Sequence, residues 1–163
     1  VACTAGGTYA ANVELAVSVA HEPDFPALPD APEEFATPGI GSIDDLAAFT
    51  GMHPALLAKS VVVVAESGPV LALVRGEHQV HDKKLAHIIG AYRAAHAEEI
   101  RGWFGADPGS LGPGGGGEGV RVLAELPLMQ GDDVTGAHRE GIDLKGMVYG
   151  SYFTAGTRAN HPW

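Results

Sequence analysis

Ser60-Val-Val-Val-Val-Ala-Glu-Ser-Gly-Pro-Val-Leu-Ala-Leu-Val74 is the stretch that decides the fold. Ser60 to Ala65 is a continuous apolar run of mostly β-branched residues, the pattern of a strand covered on both faces. Ser67-Gly68-Pro69 turns the chain, and Val70 to Val74 is a second apolar run, so the two pair as a hairpin. Upstream, Ser42-Ile-Asp-Asp-Leu-Ala-Ala-Phe49 starts a helix. Ser42 caps it, Asp44 and Asp45 suit its positive end, Ile43, Leu46 and Phe49 fall on one face, and Gly51 ends it. Pro54 to Lys59 is expected to be a second short helix. Downstream, Asp82 to Ile89 reads as a helix closed by Gly90. Ala94 to Phe104 reads as another, with Ile100, Trp103 and Phe104 toward the core. Val120 to Ala124 is a strand, a turn-rich stretch follows, and Ile142 to Tyr152 carries a last strand or two. At the N-terminal side, Tyr9 to Val17 is rich in helix formers and enters as a helix or an extended lead-in, and Glu22 to Pro38 reads as a proline- and acid-rich exposed linker or irregular loop. Thr154 to Trp163 has no clear pattern. Short helices mixed with paired strands, without regular βαβ alternation, make the class α+β.

The 163 residues suit one domain with one core, and 45% hydrophobic against 18% charged excludes a disordered tail. The formal net charge of -10, from 20 acids and 10 bases, is the wrong sign for gripping nucleic acid by its backbone. Any RNA contact is therefore local, or made by another part of a larger protein. Cys3 is the single cysteine, so no internal disulfide forms and a reducing cytoplasm is expected. No apolar run approaches the ~20 residues that cross a bilayer, and no signal-peptide pattern opens the chain. Val1 is not an initiator methionine, so a fragment of a longer protein or a processed chain is expected.

Four groups of residues could carry chemistry. Gly109-Ser-Leu-Gly-Pro-Gly-Gly-Gly-Gly117 is either a flexible connector or a loop whose backbone N–H groups cradle an anion or a carbonyl; it lacks the Gly-Lys-Ser/Thr end of a nucleotide P-loop. His78, His81, Asp82 and His87 are metal-ligand types at close spacing, but without a third fixed ligand they read as a solvated loop and helix start. No Gly-x-Ser-x-Gly elbow is present, Cys3 is not expected to be a catalytic thiol, and Ser60, Ser110 and Ser151 lack an evident histidine partner. A hydrolase built on this chain need not use a protein nucleophile. Lys59, between a predicted helix and a buried strand, is either a snorkelling surface lysine or one aimed into a cleft.

Several segments, in order, resemble the editing domain inserted in bacterial prolyl-tRNA synthetases and its free-standing YbaK-type relatives. They are Tyr9-Ala-Ala-Asn-Val-Glu14, Thr37-Pro-Gly39 with Ser42-Ile-Asp-Asp-Leu46, Leu57-Ala-Lys-Ser60, and Leu73-Val-Arg-Gly-Glu-His-Gln-Val-His-Asp-Lys-Lys-Leu85. Gly109-Ser-Leu-Gly-Pro113 and Gly136-Ala-His-Arg-Glu-Gly141 complete the set. The resemblance runs from about Tyr9 to Tyr149. It implies a mixed sheet curled into a partly closed barrel flanked by short helices. It divides the chain into a lead-in and linker (1–36), an editing domain (37–153) and a tail (154–163).

The activity implied is hydrolysis of a mischarged aminoacyl ester, alanine on the proline tRNA in the first place, by a second sieve. Alternatives on the same fold are a cysteinyl-tRNA(Pro) deacylase of the YbaK type and a catalytically impaired module that binds the tRNA 3′ end. The implied partners are the acceptor end of tRNA and, for an excised domain, the rest of a prolyl-tRNA synthetase. No cofactor, metal or membrane is implied. No class II synthetase signature is present, so ATP binding and proline activation are not expected of this chain. By resemblance Lys59 holds the terminal nucleotide, and Thr37 lines the entrance. Ile43 and Leu46 form the apolar wall. The N–H groups of the Gly109 to Pro113 loop, those of Gly109, Ser110 and Gly112, meet the oxyanion, and Pro113, Glu125 and Gly136 are further substrate-binding residues. Glu125 stands where the family commonly has Asp, and Ser60 where Thr is usual. His81-Asp82 replaces Asn-Glu, and His138 replaces the Asn of Gly-Ala-Asn. Asp143 occupies the aligned position of a family His linked to hydrolysis, which leaves either a weakened hydrolase or one whose role shifts onto His138.

Overall fold

The computed structural model describes residues 31–129 and 132–148. The Tyr9–Val17 lead-in, Cys3, Ser151, the end of the last strand beyond Val148 and the Thr154–Trp163 tail lie outside the described residues.

The hairpin forms where the valine run and the Ser-Gly-Pro turn predict it. Strands β2 (Ala58–Ala65) and β3 (Gly68–Arg75) pair antiparallel from Ala58↔Arg75 to Ala65↔Gly68. β3 is buried from Val70 to Arg75, because it is flanked on both edges and covered on both faces. β4 (Tyr92–Ala94) pairs antiparallel with β2, and β5 (Arg121–Ala124) pairs parallel with β3, giving the order β4-β2-β3-β5. A second, antiparallel sheet has the order β1-β7-β6, from β1 (Glu33–Ala36), β6 (Asp132–Arg139) and β7 (Ile142–Val148). Among the described residues one parallel bridge, Leu57↔Val134, links the sheets, so the barrel is partly closed. Both residues are fully buried and pack with Leu46.

Among the described residues three helices flank the sheets: α1 (Ile43–Thr50), α2 (Asp82–Ile89) and α3 (Ala97–Phe104). α1 begins and ends as its residues dictate. The Ser42 hydroxyl accepts the Asp45 N–H at 3.1 Å, and Gly51, in the left-handed region at φ 69°, donates its N–H to the Ala47 carbonyl at 2.8 Å. α3 packs Ile100 and Phe104 into the main core beside Leu71 and Leu73, with Trp103 partly buried against it. No helix among the described residues is long and apolar enough to cross a membrane.

Five local expectations need correction. Pro54–Lys59 is not a helix. A 3-10 turn covers Pro54–Leu56, the Leu57 N–H bonds back to the Pro54 carbonyl, and β2 takes over at Ala58 because its partner strand satisfies the backbone. Phe49 is 57% exposed, since α1 buries the stripe Ile43, Leu46, Ala47, Thr50 and Phe49 falls off its edge. The helix expected from Ala94 starts at Ala97. Tyr92–Ala94 is drawn into the sheet edge, and Glu99 accepts the His96 N–H at 2.9 Å to open the helix. Glu33–Ala36, inside the segment read as linker, is a strand that borrows its pairing from β7. Part of the turn-rich stretch is β6, whose register shifts between Asp133 and Thr135 and between Gly136 and Arg139 break the period of two.

Candidate functional site

A cleft of about 270 Å³ opens between α1, the start of β2, the glycine loop and the β6–β7 pair. Ile40, Ile43 and Leu46 make its apolar wall, Lys59 and Ser60 its side on β2, and Gly109 and Leu111 its side on the loop. Gly136 and Asp143 make its floor on the second sheet.

Lys59 is half-buried and donates to the Gly76 carbonyl at 3.3 Å. Burial pulls its ammonium below the usual lysine value, and the carboxylates of Glu125 and Asp44 act against that shift. Gly76 has to be glycine, because a Cβ would lie 2.7 Å from both the Ile43 side chain and the Pro54 carbonyl. The lysine is therefore held at the mouth of the cleft by a backbone that α1 and the 3-10 turn press into place.

The glycine loop is pinned. The Leu111 carbonyl accepts from Ser60 Oγ at 2.8 Å, and the Ser110 carbonyl accepts the His138 N–H at 2.7 Å. The Gly112 N–H donates to His138 Nε2 at 3.2 Å. A Cβ on Gly112 would lie 2.2 Å from the Gly136 carbonyl oxygen, and one on Gly136 would lie 2.4 Å from the Ser110 carbonyl carbon. Loop and strand thus touch backbone to backbone, a contact that only glycine permits. His138 sits at φ 57°, in the left-handed region rare for a non-glycine residue, at the irregularity between Gly136 and Arg139. Its ring stacks on Phe104 with centroids 6.0 Å apart. Burial lowers its pKa, and an imidazole whose Nε2 accepts an N–H is neutral.

On the floor, Thr37 Oγ1 donates to Asp143 Oδ2 at 2.6 Å. Thr37 is itself buried, and its N–H donates to the Gly141 carbonyl at 2.7 Å. Burial raises the Asp143 pKa, with the Thr37 hydrogen bond opposing.

The structure therefore gathers Ile43, Leu46, Lys59, Gly109, Gly136 and Asp143 around one cleft, with Thr37 behind Asp143. Ser110 and Gly112 are not in the lining and are held by His138, and Pro113, which is buried, follows them in the loop without lining the cleft. Glu125 stands apart from the lining. It is fully buried, its Oε2 accepts the Arg75 N–H at 3.1 Å, and its Oε1 lies 2.7 Å from His78 Nδ1. That contact also accounts for His78, while His81 is the N-cap residue of α2. Glu125→Ala is expected to cost about 3 kcal/mol of stability in urea unfolding, because it strands a buried N–H and a buried-edge imidazole. An unchanged midpoint would refute this tethering role. Ser60 and Leu111, quoted within the motifs but assigned no role, also line the cleft, and their contact spans 51 residues.

Residues 37–141 match the family model of the aminoacyl-tRNA editing domain. The chain belongs to that family. The proline–tRNA ligase of Xanthomonas oryzae pv. oryzae is 40% identical over 152 residues, covering 91% of this chain and 27% of the ligase. That of Anaeromyxobacter sp. is 43% identical over 144 residues, covering 85% of this chain and 25% of the ligase. The chain spans about a quarter of the length of these relatives. A solved structure of a candidate trans-editing enzyme for prolyl tRNA synthetase superposes with a TM-score of 0.70 at 20% identity, covering 80% of this chain and 85% of that one. The expected fold, a mixed α+β editing domain with a partly closed sheet, is the one observed. This editing domain is related to those of the prolyl-tRNA synthetases.

Proposed function

We propose that this editing domain hydrolyses the ester joining a mischarged amino acid to tRNA(Pro), with alanine as the principal substrate, as part of a cytoplasmic proline–tRNA ligase. The observation that carries this reading is the cleft itself. It combines one cation at its mouth, a small apolar wall and a rigid glycine backbone within about 270 Å³. Ile43 and Leu46 make the apolar wall against which the side chain of a bound ester is measured, and the choice of alanine is assigned to that wall.

The ester is already activated, so catalysis consists of positioning water and stabilising the oxyanion. Lys59 binds the phosphate or ribose of the terminal nucleotide. The Gly109–Pro113 backbone meets the oxyanion, with Gly109 and Leu111 first because the Gly112 N–H is engaged by His138. His138 acts as the anchor of that loop. Water adds to the carbonyl, the tetrahedral intermediate collapses, the tRNA hydroxyl leaves with a proton, and the free amino acid is released.

A deacylation panel tests the proposal. Alanyl-tRNA(Pro) should be hydrolysed, prolyl-tRNA(Pro) spared, and cysteinyl-tRNA(Pro), which adds one sulfur to the same volume, hydrolysed more slowly. Preferential loss of cysteine would move the domain to the cysteinyl specificity. No hydrolysis of any ester, with the tRNA end still bound, would leave a binding module, a reading that the net charge of -10 favours.

A further inference from the structure

Asp143 is the one carboxylate among the described residues lining the cleft, and the geometry around it asks for a cation. β7 is the central strand of its sheet, and Asp143 is paired on one side with Phe35 and on the other with Gly136. Thr37, buried and tied to Gly141, holds Oδ2. The carboxylate is thus fixed in direction, with one oxygen committed. No cationic side chain of the described residues makes an ion pair with it, and burial without a counter-charge disfavours its ionised form. A ligand that brings a positive charge to this point gains what the protein leaves unmet.

An aminoacyl ester has one such charge, the α-ammonium, on the carbon next to the reacting carbonyl. We infer that Asp143 binds the α-ammonium group of the aminoacyl ester through Oδ1, with Thr37 fixing Oδ2, so that the domain selects esters with a free α-amine over N-blocked ones. This rests on the editing reading above. The two ends of the substrate then have separate anchors: Lys59 for the nucleotide and Asp143 for the amine, while Ile43 and Leu46 measure the side chain between them. N-acylated and peptidyl esters lack the ammonium and are spared.

The test compares alanyl-tRNA(Pro) with N-acetylalanyl-tRNA(Pro), using the parent chain and Asp143→Asn, which keeps the side-chain volume and an oxygen for Thr37. The parent should prefer the free amine by about 10- to 100-fold in kcat/KM, the worth of a charge-assisted hydrogen bond. Asp143→Asn should lose that preference, chiefly through KM, slowing the free-amine ester by about 10-fold or more beyond any effect on the N-acetyl ester. Equal rates of the parent on both esters, or an equal slowing of both by the substitution, would overturn the inference. A parallel measurement uses calorimetric binding of a non-hydrolysable alanyl-amide of 3′-amino-adenosine and its N-acetyl form. If no ester is hydrolysed but binding still prefers the free amine and Asp143→Asn abolishes that preference, the inference stands and the deacylase reading falls. Equal binding of the two amides overturns the inference independently of hydrolysis.

Discussion

Lys59→Ala should lower kcat/KM for alanyl-tRNA(Pro) by about 100-fold, the cost of losing a partner that pairs with a charged group in a partly desolvated site. Lys59 is the one cation lining the cleft among the described residues, so no neighbour replaces it there. The fold should not register the change. The Lys59↔Val74 pairing is made by main chain, and the ammonium gives up only a bond to the Gly76 carbonyl. Burial already penalises that charge in the folded chain, so its removal should leave the thermal midpoint within about 2 °C. A loss confined to KM assigns the lysine to binding the terminal nucleotide, and a loss shared by kcat assigns it to orienting the ester. Unchanged kinetics would remove it from the site.

Gly136→Ala should be among the most damaging single methyls in the described chain. Its Cβ would lie 2.4 Å from the Ser110 carbonyl carbon and 2.7 Å from the Leu111 nitrogen, both backbone atoms that no rotamer can move. The loop would have to lift from β6. That motion breaks the bond from the His138 N–H to the Ser110 carbonyl and the one from the Gly112 N–H to His138 Nε2. We expect a loss of about 3 kcal/mol in urea unfolding and of more than about 100-fold in deacylation. Gly112→Ala, with its Cβ 2.2 Å from the Gly136 carbonyl oxygen, should behave alike. Gly114→Ala is the control within the same loop: nothing lies within 4 Å of its Cβ, and its effect should stay within about 0.5 kcal/mol. Equal behaviour of Gly136→Ala and Gly114→Ala would show that the loop is not held by this contact.

What could be read from the sequence divides along physical lines. The β2–β3 hairpin and helices α1 and α2 were legible because their signals are local: a valine run with a Ser-Gly-Pro turn, a Ser cap, and closing glycines at 51 and 90. β1 and β6 were not. β1 has four residues, three of them exposed, and is a strand only because β7 lies beside it. β6 carries two register shifts that erase its alternation. At the site, the two readings of Lys59 stayed open because its setting depends on Gly76, which arrives from the far end of the hairpin. The glycine loop read equally as a connector, since glycine content alone does not reveal the contacts with Gly136 and His138 that pin it. Glu125 is an acid in a short turn after a strand. Nothing local reveals that it closes on Arg75 and His78, 50 and 47 residues away.

The pairing of β1 with β7 bears on how such a domain is carried. Glu33 lies opposite Lys145, so the first and last described strands are neighbours in one sheet, with paired Cα atoms about 5 Å apart. Under the reading proposed above, the larger protein that carries the domain sets the local concentration of the tRNA end, so the domain's own affinity for RNA can stay low.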